Sequence, residues 1–177
     1  MKTRIVVAVL LVLAFAVPGF AQKTPASPKA TVVHLDKSVD FAAFKTYSYE
    51  KGQPAIVKEA DARIVAGIEA QLASLGLTKA ASGPGDVVVT YYSVERMDVD
   101  LATFDKVAPA PGAERKPAQT VKVGTLVVDM KQPGKTAPAW RAKIEGVMQG
   151  DMTAKLDTVD KAVVTLFGVY PTKTVKK

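Results

Sequence analysis

Residues 86–96, Asp-Val-Val-Val-Thr-Tyr-Tyr-Ser-Val-Glu-Arg, carry the strongest strand signal in the chain: a β-branched and aromatic run entered through the turn residues Ser82-Gly83-Pro84-Gly85. A strand this decisive needs partners, and the sequence offers them on both sides. Downstream, Thr120 to Lys131 reads as a further strand, followed by the polar turn Gln132 to Pro138 and a fourth strand from Trp140 to Gln149. In that last strand Trp140, Ala142 and Ile144 alternate with Arg141, Lys143 and Glu145, which implies one buried and one exposed face. Upstream, Thr31 to Tyr49 reads as strand one, with its β-branched and aromatic content densest over Phe44 to Tyr49.

Two stretches change period. From Ile56 to Leu75 the apolar residues Ile64, Ile68, Leu72 and Leu75 recur at helical spacing, and Gly76 supplies the left-handed residue that closes a helix, with Leu77 folding back on its last turn. From Asp151 to about Val169, Leu156, Val159, Val163, Leu166 and Phe167 recur at spacings of three and four, Asp151 is placed to cap, and Pro171 ends the element. The order is β-α-β-β-β-α. Short connections make the last three strands an antiparallel meander, and the helix after strand one returns the chain parallel to strand two. The expected fold is therefore α+β: a two-layer sandwich with two helices on one face of a four-stranded mixed sheet. Residues 31–171 form this single domain.

Residues 1–21 fix the compartment. Lys2 and Arg4 precede the apolar run Ile5 to Val17, which is shorter than the roughly 20 residues of a membrane span, and Gly19 and Ala21 place small residues where signal peptidase reads. Cleavage after Ala21 leaves 22 basic against 17 acidic residues, a net charge of +5 instead of +7. Such a surplus favours weak association with anionic membrane surfaces, although the charges are scattered among acids. The chain has no cysteine, which excludes disulfides, thiolate metal sites and the acylated cysteine of a bacterial lipoprotein. The expectation is a soluble periplasmic or extracytoplasmic protein, not a lipoprotein. Residues 22–30 are a polar lead-in expected to be flexible, 102–119 a Pro- and Ala-rich hairpin loop expected to be mobile, and 172–177 a basic tail.

Six segments, taken together, resemble one family: Asp40-Phe41 with Phe44-Lys45-Thr46-Tyr47, Ile68-Glu69-Ala70-Gln71-Leu72 ahead of Gly76-Leu77, Asp86 to Tyr91, Gly124 to Asp129, Trp140-Arg141, and Phe167 to Pro171. They occur in the order and with the gaps of the Domain of Unknown Function 4136 family, over Val39 to Pro171. The resemblance implies an exported bacterial envelope protein, in a family with many lipoproteins and no assigned activity or catalytic residues. This chain departs from the lipoprotein members in lacking the acceptor cysteine.

Candidate chemistry is sparse. His34 is the single histidine and stands near the edge of the domain, so it offers no metal centre or triad by itself. Asp98, Asp100 and Asp105 lack the glycine and terminal glutamate of a calcium loop. Asp86 and Asp129 have no spacing that marks an acid and base pair, and Gly83-Pro84-Gly85 has no phosphate-loop lysine. Trp140 shares its parity with Ala142 and Ile144 and belongs in the core, whereas Tyr91 and Tyr92 are aromatic faces without a nucleic-acid context. No catalytic residue, cofactor or metal is indicated. The set that strand parity sends to the uncovered face is Thr125, Val127 and Asp129 with Arg141, Lys143 and Glu145, a mixed surface for an envelope protein or another envelope component. The alternative is a small-molecule or lipid cleft between helices and sheet, lined by Ile68, Leu72, Leu126 and Ile144.

The leader reading has a direct check. N-terminal sequencing of the exported protein should begin at Gln22, whereas Met1 on a membrane-bound form would identify the apolar run as an anchor.

Overall fold

The structure, a computed structural model, describes residues 28–100, 119–148 and 156–171. The leader, most of the lead-in, the hairpin loop to residue 118, Asp151 and the basic tail lie outside the described residues. The elements are β1 (Ala30–Leu35), β2 (Thr46–Tyr49), α1 (Lys58–Ser74), β3 (Thr78–Lys79), β4 (Val87–Val99), β5 (Thr120–Lys131), β6 (Trp140–Met148) and α2 (Leu156–Phe167). They form one mixed sheet in the order β1-β6-β5-β4-β2-β3.

The mixed α+β architecture agrees with the sequence reading, but the sheet has six strands where four were expected. Both additions have a local cause. Strand one divides because Asp36 takes the N–H (2.9 Å) and hydroxyl (2.6 Å) of Ser38, and Asp40 takes the N–H of Ala42 at 3.0 Å to cap a 3-10 turn over Phe41–Ala43. These side-chain bonds turn the backbone where the hydrophobic pattern shows no break. The first half, β1, pairs antiparallel with β6 at one edge, while the second, β2, pairs parallel with β4. The other addition follows α1. Gly76 sits at φ +83, its N–H donates to Ala73 and that of Leu77 to Leu72, both at 2.9 Å. This left-handed stop, at a residue with no Cβ to clash, turns the chain so that Thr78–Lys79 lies parallel to β2 as the far edge strand.

Register follows strand parity. Met130 lies opposite both Val89 and Trp140, and Val128 opposite Tyr91 and Ala142. Val89, Val128, Met130, Trp140 and Ala142 all have zero exposure. Both helices cover this face: the Tyr91 hydroxyl donates to Asp61 of α1 at 2.9 Å, and the Trp140 ring lies 5.7 Å from that of Phe167 on α2. The helices pack side by side, with the missing side chain of Gly67 admitting Val163 so closely that a Cβ would stand 3.2 Å from it. Arg63 joins them by an ion pair with Asp160. Trp140 is surrounded by Phe167 and by Tyr170, whose ring centroid is 5.2 Å away.

Asp86 pins β2 to β4. Its carboxylate accepts from the N–H groups of Lys45 and Thr46, both at 2.9 Å, and from the Thr46 hydroxyl at 3.0 Å, while that hydroxyl accepts in return from the Asp86 N–H. Backbone donors stabilise the ionised form and hold the Asp86 pKa below its ordinary value.

Two measurements check this packing. Trp140→Ala should cost about 3 to 5 kcal/mol in urea unfolding, the range for a large aromatic taken from a core, and a parent-like midpoint would contradict the assigned facing of β6. The lowered Asp86 pKa gives stability that is present above the unfolded value, about pH 3.9, and lost as pH falls through the folded one. The stability gap between the parent and Asp86→Asn should therefore narrow on acidification below about pH 4. Parallel pH profiles would show that the charge of Asp86 holds nothing.

Candidate functional site

The uncovered face of β4, β5 and β6 brings the expected six residues together. Thr125 lies opposite Glu145, Val127 opposite Lys143, and Asp129 opposite Arg141, in three consecutive same-face pairs along β5 and β6. Asp129, only 7 % exposed, is held by a two-pronged Arg141 fork in which Nε donates to one carboxylate oxygen at 2.5 Å and the terminal nitrogen to the other. Such a planar fork sets direction as well as charge. Thr125, Val127, Arg141, Lys143 and Glu145 are half-buried.

Sequence parity on two strands missed the third. β4 lies in register beside β5 and presents Thr90, Tyr92, Val94 and Arg96 to the same face, with Tyr92 opposite Val127. Arg96 reaches the Thr125 hydroxyl at 3.3 Å and Glu145 at 3.4 Å, while Lys143 approaches Glu145 at 3.5 Å. Burial tends to raise the Glu145 pKa, but Lys143 and Arg96 outweigh it and leave the value below that of an ordinary glutamate. The alternation already visible in residues 86–96 held the signal: with Val87, Val89 and Tyr91 under the helices, the intervening residues must face the other way. Each cation that β4, β5 and β6 present on this described face has an acid within ion-pair distance: Arg96 and Lys143 share Glu145, Arg141 has Asp129, and Lys131 pairs with Glu50.

The other candidates do not converge. Asp86 precedes β4 by one residue and lies four positions before Thr90, the partner of Asp129, a separation of about 13 Å along a strand. That exceeds the spacing of a carboxylate pair flanking one bond. His34 is exposed on β1 opposite Arg141, beside a register break at Val32/His34. Asp98 accepts from Arg96 and from the Val99 N–H, while Asp105 lies outside the described residues. Tyr91 points under α1, where burial and the Asp61 bond push its hydroxyl pKa up to about 12. Among the described residues no three His, Asp or Glu side chains are grouped to hold a metal ion. Ile68, Leu72, Leu126 and Ile144, which would line an interlayer cleft, are 0–7 % exposed within one continuous core.

Comparison with solved structures finds distant likenesses. A PDZ domain protein from Parabacteroides distasonis is 18% identical with a TM-score of 0.48, over 82% of this chain and 36% of that one. The chain thus spans little more than a third of that protein. The PelC dodecamer from Paraburkholderia phytofirmans is 7% identical with a TM-score of 0.46, covering 79% and 96%. A minor lipoprotein from Acinetobacter baumannii is 12% identical with a TM-score of 0.42, covering 71% and 91%. No curated protein matches the chain. The family comparison is of another order, because its match runs without division from the start of β1 to just past α2: over residues 31–172 this chain belongs to the family described as a domain of unknown function, DUF4136.

Proposed function

We propose that this protein is a non-enzymatic, extracytoplasmic binding protein of the bacterial envelope, and that it holds a protein partner against the uncovered face of β4, β5 and β6. The observation that supports this reading most is the composition of that face. Tyr92, Val94 and Val127 supply apolar contact area between charges that are already paired and oriented. Val94 is 41% exposed. A face with its charges in register suits a partner of fixed shape, because pre-paired groups lose little freedom on docking.

Charge balance favours a protein over an anionic membrane surface as the occupant. The chain carries a net +7, or +5 without residues 1–21, yet on this face Arg96, Lys131, Arg141 and Lys143 meet Asp98, Glu50, Asp129 and Glu145, four cations against four acids, so the surplus is not displayed here. Any weak membrane association would use another surface. The closed core supports the face over the interlayer cleft, since the side chains that would line a cleft already fill the space between the layers. Location outside the cytoplasm rests on the leader-like residues 1–21, and soluble release without lipid on cleavage near Ala21 and the missing cysteine. No described helix is long and apolar enough to cross a membrane.

Photo-crosslinking in intact cells tests the proposal. A photoreactive residue at position 143 should give a discrete protein adduct that the same residue at exposed position 59 on α1 does not give. Lys143→Glu places a like charge beside Glu145, and should weaken capture by about tenfold while leaving unfolding stability within about 0.5 kcal/mol of the parent. Lipid adducts alone, or equal adducts at both positions, would overturn the face as the binding surface.

A further inference from the structure

The β4–β5 ladder is longer than the sheet around it. β5 is flanked by β6 as far as Lys122, but the opposite side of β4 is paired only by β2, over Val87–Val89, and then by an extension of the same segment. There the Glu50 N–H donates to Val89 at 3.0 Å, the Gln53 N–H to Tyr91 at 3.1 Å, and the Ser93 N–H to Gln53 at 2.8 Å. The next donor on that side, the Ala55 N–H, turns away to the Asp61 carboxylate at 2.8 Å, and the cover ends there. Beyond Ser93 the outer edge of β4 has no strand beside it among the described residues.

The direction of the free groups follows from those three bonds. Val89, Tyr91 and Ser93 turn their backbone polar groups outward, whereas the Asp100 N–H donates inward to Gln119 at 2.8 Å. With the two-residue period of a strand, Glu95, Met97 and Val99 also face outward. The Val99 N–H turns instead to the neighbouring Asp98 carboxylate at 2.9 Å. Along this edge Met97 is 63% and Val99 43% exposed, an apolar strand edge of the kind that attracts another strand.

We infer that the edge of β4 from Glu95 to Val99 pairs antiparallel with the same edge of a second copy of this chain about a twofold axis at Met97, joining the two sheets into one. Charge complementarity selects both the occupant and the register. Outward-facing residues must oppose one another, so only a few registers are open to two copies of Val94-Glu95-Arg96-Met97-Asp98-Val99. With Met97 opposite Met97, Arg96 of each copy lies opposite Asp98 of the other, in a position without mutual backbone bonds where side chains approach most closely. A shift of the axis to Arg96 sets arginine against arginine, to Asp98 aspartate against aspartate, and to Glu95 glutamate against glutamate. An axis at Asp98 would also set Arg96 opposite Asp100, but only with the two Asp98 carboxylates facing each other; the Met97 register alone brings opposite charges together and opposes no like charges. Arg96 and Asp98 have side chains 47% and 52% exposed and lie 3.5 Å apart within the chain; one terminal nitrogen of Arg96 is turned to Thr125 and Glu145, and the other, now at Asp98, is the one that would reach Asp98 of the second copy. The association uses the strand edge, leaves the face of β5 and β6 open, and stands or falls separately from the partner proposed for that face.

Light scattering on the purified exported chain tests the inference by charge exchange. The parent should double in mass as its concentration rises. Arg96→Asp and Asp98→Arg should each remain monomeric where the parent is dimeric. An equimolar mixture of the two variants should form a one-to-one heterodimer, because the two acids of one variant then lie opposite the two arginines of the other. Arg96 also touches Glu145, so Met97→Lys serves as a further variant that leaves the intrachain pairs in place. It should abolish the dimer without moving the monomer's melting temperature. A parent that stays monomeric up to about 1 mM, or a dimer that survives Met97→Lys, would overturn the inference. So would a dimer that is lost in Lys143→Glu but not in Met97→Lys, since it would place the contact on the sheet face.

Discussion

The alternation of β4 is the constraint on which the rest of the structure depends. This strand hydrogen-bonds in parallel to β2 on one side and antiparallel to β5 on the other, so its parity is imposed on both halves of the sheet. Val87 and Val89 have zero exposure under the helices, while Thr90, Tyr92 and Arg96 turn to the opposite face. A slip of one residue would exchange those sets and place Arg96 and Asp98 on the side of the core, which is why register here is specified so strongly. Asp86 fixes the start of the strand by holding both Lys45 and Thr46.

One-sided coverage follows from the connections. α1 and α2 both lie against the face that carries Tyr91 and Trp140, and they meet closely at Gly67 and Val163. Among the described residues the other face has no layer of its own and is built from cross-strand ion pairs. Its charges remain partly hydrated, as shown by the 40% exposure of the Arg141 side chain, so they organise the surface more than they stabilise the fold. Asp129 is the exception. Its side chain is 9% exposed, and a carboxylate that deep depends on its guanidinium partner.

The two sides of the sheet treat their edges differently. β3 is only two residues long and carries Lys79, paired with Glu69 at 3.0 Å, and β1 is broken by its register shift, both devices that discourage further pairing. The outer half of β4 has neither a break nor a proline. Its charges instead favour one self-pairing register and set like charges against each other in the adjacent ones, which is how a strand edge acquires a preferred partner without losing its solubility.

Much of this protein is legible in its sequence because the signals are local. Period-two alternation in residues 86–96 and 140–145, the helical spacing of Ile64, Ile68 and Leu72, and the Gly76 stop each depend on neighbours a few positions away, and they predict the element types, the parallel return of β2 and the burial of Trp140. The pairing of Asp129 with Arg141 follows from parity once β5 and β6 are known to be adjacent. What only the tertiary structure decided is long-range placement. The hydrophobic pattern of Thr31 to Tyr49 runs on while Asp36 and Asp40 turn the backbone, so one apparent strand becomes two on opposite sides of the sheet. Likewise, the edge of β4 beyond Ser93, beside which no described strand lies, depends on where β2 and its extension stop. The lengths of neighbouring strands are set by the packing of distant segments, and no window of the sequence contains both.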